Sequence, residues 1–483
     1  MTDRDNSVGA SPQAAKGGLG RTQVTALIVA CALFMQTLDG TIVATALPAM
    51  ARAFGADPVH MNVALTSYLL SLAVFIPASG WMADRFGART VFRAAIAIFT
   101  IGSVFCGMAD SLLTLVAARI FQGAGGAMMV PVGRLVLLRT AAKSELVGAM
   151  ALLSAPALLG PVLGPPLGGL FVTYLSWRWI FDINVPIGLL GMALVSLYVP
   201  DVREPVGGRL DVWGLVLSGI ALAGMMFGLE TTGRGVVPAW LSLPAIGLSL
   251  LAGALYVLHT RRHPAPLLDL SLMRIPTFMV SVVGGSLFRV GVGAVPFLLP
   301  LMLQIGFGDS PLRSGLITFA SSAGAIVMKP ATTMTLRWFG FRDTLLVNGI
   351  LSAVTLILCA AFRPTWPAGL IYGVLLVGGF LRSLQFTAYN TIAYADIPPA
   401  RMSHATSLYA TLQQVSLTLG VTAGAACLEL TTALAGRPVP ETLDFAIAFA
   451  AIGLVAMCAA PVSCLMRRDA GEELSGHHAI EAD

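Results

Sequence analysis

Asp39 and Arg119 are the residues least suited to their surroundings. Asp39 interrupts the run from Val24 to Pro48, which is otherwise uncharged. That run is long enough to cross a bilayer, whose hydrocarbon core takes about 20 residues of helix. A carboxylate at membrane depth costs roughly 2.5–3.5 kcal/mol on insertion scales, so it needs a partner, a water-filled cavity or a proton. Arg119 lies in a second apolar run, within Arg119-Ile-Phe-Gln122-Gly123-Ala-Gly125-Gly126, and a guanidinium there needs an acid or carbonyl in its turn. Paired, the two residues make an acid that can take up and release a proton inside a membrane. The alternative for Arg119 is a side chain that snorkels to the outer surface, since the polar turn at Asp110 is close in sequence.

Composition defines what must position them. The chain has 483 residues, of which 56% are hydrophobic and 11% charged. Soluble domains carry about 25% charged residues, so the excess of apolar side chains is not a large soluble core. It falls into about fourteen runs of roughly 20 residues, centred near 36, 72, 100, 124, 158, 188, 221, 248, 289, 323, 352, 378, 418 and 455, each long enough to span. An all-α polytopic membrane protein is the expected class. A membrane β-barrel is excluded, because its strands would alternate over about ten residues.

The net charge of +5 does not imply nucleic acid. Assigning the polar turns alternately to two sides places about 13 basic residues on one and about 6 on the other, and the positive-inside rule makes the richer side cytoplasmic. Both termini fall there, so the number of spans is even. The six cysteines all lie in apolar runs, with no CxxC or metal spacing, and packing accounts for them. No Walker A motif and no His/Asp/Ser constellation is present, so neither nucleotide hydrolysis nor other enzyme chemistry is expected, and no cofactor or metal.

Three segments carry further chemistry. Gly80-Trp-Met-Ala-Asp84-Arg85-Phe-Gly87-Ala-Arg89 closes the second run. Gly80 and Gly87 permit tight backbone turns. Asp84 can meet the positive N-terminal end of a neighbouring helix, while Arg85 and Arg89 face the anionic leaflet. Topology anchoring alone would need only the arginines. Gly160-Pro161-Val-Leu-Gly164-Pro165-Pro-Leu-Gly168-Gly169 repeats glycine every four residues, giving one helix face that another backbone can approach closely, with prolines that should bend the helix. Plain helix packing is the competing account. Phe86-Gly87-Ala88-Arg89 and Phe339-Gly340-Phe341-Arg342 form a weak internal repeat, each following an apolar run.

The ordered Gly, Asp, Arg, Gly, Arg segment resembles the cytoplasmic loop motif of the major facilitator superfamily. Arg119-Ile-Phe-Gln122-Gly123 resembles a facilitator motif linked to proton transfer, and the Gly-Pro run resembles the one that separates antiporters from symporters. Leu38-Asp39-Gly-Thr-Ile-Val-Ala-Thr-Ala-Leu-Pro48 and Trp177-Arg-Trp-Ile-Phe-Asp-Ile-Asn184-Val-Pro186-Ile-Gly188 look like the fourteen-helix drug:proton antiporters of the EmrB/QacA type. Gly125-Gly-Ala-Met-Met-Val-Pro-Val-Gly-Arg134-Leu brings the chain nearest the MdtD-like members. Ala88 and Asp182 depart from the family pattern.

The resemblance implies the facilitator fold: an N-terminal six-helix bundle over residues 23–200, two additional helices over 201–260, a cytoplasmic linker at 261–274, and a C-terminal six-helix bundle over 275–467. Residues 1–22 and 468–483 are cytoplasmic tails. Proton coupling maps onto Asp39 and Arg119, gating onto Gly80, Asp84, Arg85, Gly87 and Arg89, and the antiporter helix onto Gly160, Pro161, Gly164, Pro165 and Gly168. Polar residues in apolar runs, Gln36, Gln122, Arg289, Lys329, Arg382 and Gln385, are candidates to line a substrate cavity. Arg289, Lys329 and Arg382 are all basic and no further acid stands at mid-depth, which favours neutral, zwitterionic or anionic amphiphiles over dications. The expected activity is proton-coupled export of small amphiphiles across a bacterial inner membrane, with substrate, protons and lipid as partners and a periplasmic adaptor as a further candidate. Proton symport of a metabolite and a non-transporting receptor or scaffold are the competing readings.

Overall fold

The computed structural model describes residues 21–55, 62–200, 210–232, 239–263, 266–309, 311–437 and 440–477. Most of the expected N-terminal tail, the end of the C-terminal one and the side chains of Pro161, Pro165 and Glu230 lie outside the described set. Among the described residues the only regular structure is helical: α1 (Arg21–Phe54), α2 (Asn62–Phe75), α3 (Ser79–Phe86), α4 (Ala88–Met108), α5 (Leu112–Thr140), α6 (Leu146–Tyr174), α7 (Trp179–Asp182) and α8 (Asn184–Tyr198) come first. Then follow α9 (Val212–Thr232), α10 (Ala239–Thr260), α11 (Pro276–Leu301), α12 (Pro311–Met328), α13 (Thr332–Cys359), α14 (Ala368–Ile392), α15 (Met402–Leu434), α16 (Thr442–Met457), α17 (Ala459–Ser463) and α18 (Glu472–Ser475). Among the described residues, ten helical stretches are long and apolar enough to cross a membrane. Leucines such as Leu113, Leu197, Leu370 and Leu434 point outward from them, as a lipid solvent allows.

The internal repeat is structural. The second run breaks at a 3-10 turn, Ile76–Ala78, and the corresponding later run breaks at Lys329–Ala331, with Pro77 and Pro330 near the start of each turn. Proline removes a ladder donor and tightens the chain there. Ten residues beyond each proline stands a glycine with positive φ, Gly87 at 88° and Gly340 at 68°, where an L side chain would be strained. Gly340 divides α13 into two helices across a kink. The expected second spans are therefore broken helices.

Helix pairs close on glycine faces. A methyl built on Gly160 or Gly164 of α6 would overlap the Thr37 or Thr41 hydroxyl of α1, and Thr41 Oγ1 donates to the Gly160 carbonyl at 3.2 Å. Despite its four prolines, α6 runs unbroken. In the later helices Gly293 brings α11 against the Leu417 carbonyl of α15.

Between these groups, α9 and α10 pack on each other. Asp211 ties their ends together, accepting from Gly214 N at 2.8 Å, His259 Nε2 at 2.9 Å and Leu267 N at 3.3 Å. The linker beyond α10 is held by Tyr256, whose hydroxyl donates to Leu268 O and accepts from Leu268 N.

Candidate functional site

Asp39 sits midway along α1 and Arg119 near the start of α5, and both side chains are 0% exposed. Arg119 Nη1 meets Asp39 Oδ2 at 2.6 Å and donates to Gln122 Oε1 at 2.7 Å. Its Nε donates to the Ala64 carbonyl of α2 at 3.2 Å. The Tyr68 ring lies 4.1 Å from the guanidinium carbon. The snorkelling alternative fails: the cation turns inward to the acid.

The other carboxylate oxygen is equally committed. Asp39 Oδ1 accepts from Gln122 Nε2 at 2.9 Å and from Asn184 Nδ2 at 3.1 Å. Ser103 of α4 then accepts from the same two amide nitrogens, at 2.7 and 3.2 Å. Four helices, α1, α4, α5 and α8, thus meet at one carboxyl group. The i, i+3 spacing of Arg119 and Gln122 puts both on the face of α5 that looks at α1. A methyl on Gly102 would lie 2.6 Å from Gln122 Cα, so the glycine lets α4 and α5 approach closely enough for Ser103 to join. Asn184, Ser103 and Tyr68 are not among the sequence candidates. Asn184 lies in the Trp177–Gly188 string, which was the available signal; Ser103 and Tyr68 have none, being ordinary residues in apolar helices.

The segment over 80–89 also makes contacts across the helices. Asp84 of α3 pairs with Arg139 Nη2 of α5 at 2.8 Å and accepts from the Ser403 hydroxyl near the start of α15, matching the expectation of a helix N-terminus. Arg85 is exposed. The Arg89 guanidinium donates to the Ser196 carbonyl at the end of α8, where orphan carbonyls welcome a cation. Gly80 lies against Ser403, and a methyl there would fall 2.6 Å from the Ser403 carbonyl oxygen. Ser79 and Ser407 hydroxyls meet at 2.8 Å. With Lys143 bonded to Glu473, the Ser79–Ser407 and Asp84–Ser403 contacts join early helices to late ones at the end that bears Gly87.

Gln122 belongs to the Asp39 network, and the remaining cavity candidates are dispersed. Lys329 donates to Thr387 Oγ1 at 2.9 Å and borders a 510 Å³ cleft with Thr22, Glu145 and Leu152. Arg382 donates to Ser321 at 2.6 Å, and Gln385 bridges the Leu345 carbonyl and Asn348. The Gln36 carbonyl oxygen is buried without a hydrogen-bond partner, and Arg289 donates to the Tyr409 hydroxyl. The fold also gathers Asp211, His259 and His263, with ligand atoms within 4.8 Å of one another. His259 and His263 stand four residues apart, but Asp211 joins them only in the fold. Asp211 is already taken up by two backbone amides and His259, so the cluster serves as a clamp between α9, α10 and the linker.

A bundle of membrane-length helices that buries an ion pair defines a polytopic helical membrane protein. The chain belongs to the Major Facilitator Superfamily, whose family model matches residues 29–421. It is 40% identical over 398 residues to the putative multidrug resistance protein MdtD of Citrobacter koseri, covering 82% of this chain and 84% of that one. The MdtD of Salmonella heidelberg is 40% identical over 397 residues, with the same coverage. Among solved structures, the human organic anion transporter MFSD10 superposes with a TM-score of 0.66 at 14% identity, covering 92% of this chain and 100% of that one. The proton:xylose symporter XylE gives 0.64 at 15% identity, covering 91% and 94%. These two establish the shared fold.

Proposed function

We propose that this transporter is a proton-coupled antiporter that exports small amphiphilic molecules, multidrug efflux, by alternating access. The observation that carries the proposal is Asp39, fully buried and held by Arg119, Gln122 and Asn184. Burial favours the neutral form of an acid and a guanidinium the ionised one. A rearrangement of α1 against α5 that separates or solvates the pair therefore moves a proton. The relatives' description as putative multidrug resistance proteins supports export of drug-like solutes.

In this reading the molecule has fourteen spans, two six-helix bundles and the α9–α10 pair between them, in a bacterial inner membrane with both termini cytoplasmic. The Gly87 end is then the cytoplasmic end, and the structure is closed to the cytoplasm. The bundles rock about a central path, a common plan for transporters built from repeats. Protons are the energy source: at 100 mV one inward charge supplies about 2.3 kcal/mol, and a pH difference of one unit adds about 1.4 kcal/mol. The sum sustains a gradient of several hundred-fold for a neutral solute.

The test is proton release from energised everted vesicles on adding solute. Wild type should release protons with a transported amphiphile, and Asp39→Asn should reduce the release to background while still reaching the membrane. Solute transport that persists without proton movement in the wild type would defeat the antiport reading, and no response to any solute would favour a receptor.

A further inference from the structure

Arg134 and Arg289 are buried arginines outside the Asp39 network. Arg134, on α5, is 3% exposed, and Arg289, on α11, is 1% exposed. Arg134 donates to the Tyr394 hydroxyl at 3.2 Å and to Gln413 Oε1 at 3.4 Å. Arg289 donates to the Tyr409 hydroxyl. Both guanidiniums lie over the same ring: the Tyr409 centroid is 5.4 Å from Arg134 Cζ and 4.9 Å from Arg289 Cζ. The Nε of each is buried without a hydrogen-bond partner. Among the described residues, no carboxylate lies within ion-pair distance of either.

The contrast with Arg119 is chemical. A buried cation needs a counter-charge to offset its desolvation, and Arg119 has Asp39. Arg134 and Arg289 have two phenol oxygens, one amide oxygen and a shared π face, which offset that cost only in part. Placed about one tyrosine, the like charges also repel. Donors outnumber acceptors, the charge is unbalanced, and the missing member is an anion. Guanidinium is suited to that role, since its planar fork matches carboxylate, sulfonate or phosphate oxygens.

The cluster also bridges the two sets of helices. Arg134 comes from the helices before Tyr198, whereas Arg289, Tyr394, Tyr409 and Gln413 come from those after Pro276. It sits on faces that part when the Gly87 end opens, just inside the Ser79–Ser407 contact on α15. We propose that Arg134 and Arg289 form an anion subsite on the transport path, receiving the acidic head of an amphiphilic organic anion, with the Tyr409 ring between them. This assignment rests on the export reading and narrows its substrate class. Opening the gate removes Arg134 from its Tyr394 and Gln413 acceptors, and the solute's head group replaces them. Export of an anion also runs with a membrane potential that is negative inside.

The test uses two probes that differ only in the acidic group: anilinonaphthalene sulfonate, permanently charged, and its neutral parent phenyl naphthylamine. Proton-driven uptake into everted vesicles is measured for wild type, Arg134→Gln, Arg289→Gln and the two Lys variants. The unfolding temperature of each purified full chain is measured with each probe. The subsite predicts uptake of both probes by wild type, a KM for the sulfonate raised roughly tenfold or more by either Gln variant, little change for the neutral parent, and partial recovery with Lys. Equal effects on both probes, no effect on either, or wild-type uptake of the neutral parent alone would overturn it. The neutral probe distinguishes a lost subsite from a misfolded variant. If Asp39-dependent proton release is absent with every solute, the export reading falls; Arg-dependent thermal stabilisation by the sulfonate would still establish the anion site.

Discussion

Asn184 and Ser103 carry no charge, yet they determine how firmly the Asp39 carboxylate is held. Removing the Asn184 amide leaves Oδ1 with Gln122 alone, and a hydrogen bond to a charged group is worth about 1.5–3 kcal/mol. Asn184→Ala should therefore slow proton-coupled transport about tenfold without reaching the null level of Asp39→Asn; an unchanged rate in everted vesicles would remove it from the site. A second residue-scale prediction concerns Asp269, which accepts from Ser271 and Arg401 in the linker before α11. Burial alone would push its carboxyl up, but the Ser271 and Arg401 hydrogen bonds outweigh it and hold it below the ordinary carboxylate range. A lowered folded-state value contributes stability that is complete above the ordinary range and lost as pH falls through the folded value. Asp269→Asn should lower thermal stability at neutral pH by about 1 kcal/mol, a difference that closes below about pH 4. Melting curves across pH check it. At this scale the charged members of the site were legible because a charge in an apolar run is conspicuous. Ser103 and Tyr68 were not, since only the crossing of α4 and α2 with α5 gives them a partner.

Helices in this protein are shaped by what they must approach. The Gly160 and Gly164 face of α6 meets threonines of α1, the helix that carries Asp39. Gly160→Val should force the two helices apart and reduce transport by more than tenfold, because overpacking a close interface costs about 1–3 kcal/mol or more. Adding Thr37→Ala should restore part of the activity, and a double-mutant comparison of uptake rates measures how much. If Gly160→Val transports normally, close approach is not required. Periodicity and run length placed these helices but not their breaks. The tetrapeptides ending in Arg89 and Arg342 signalled a repeat, whereas the 3-10 turns at Pro77 and Pro330 show how far it extends. Lys329 stands where Ile76 stands in the first copy, so an element shared by both halves carries a charge in only one. The bond from Arg89 to Ser196 was hidden for a related reason: the end of α8 comes beside it only in the fold.

At the scale of the molecule, the contacts that close the Gly87 end join early helices to late ones: Ser79 to Ser407, Asp84 to Ser403, and Arg134 to Tyr394 and Gln413. Cysteines introduced as Ser79→Cys and Ser407→Cys, in a background without the six native ones, should cross-link readily and stop transport, with recovery on reduction. Transport that continues through the cross-linked state would mean this end need not open. Asp84→Asn, which weakens the tie to Ser403 of α15, should slow cross-linking by favouring separation of the two helices. Contacts of this kind join residues more than 250 positions apart in sequence, and no local pattern announces them. The segment around α18 belongs to the same set. Glu473 bonds to Lys143 beyond α5, and His477 Nδ1 donates to the Arg337 carbonyl in α13, so what reads as a tail is a strap across both sets of helices. Anything attached to the C-terminus pulls on that strap. A reporter or affinity tag fused there would bias the cycle it is meant to observe, and comparison with the same tag at the N-terminus would measure that bias.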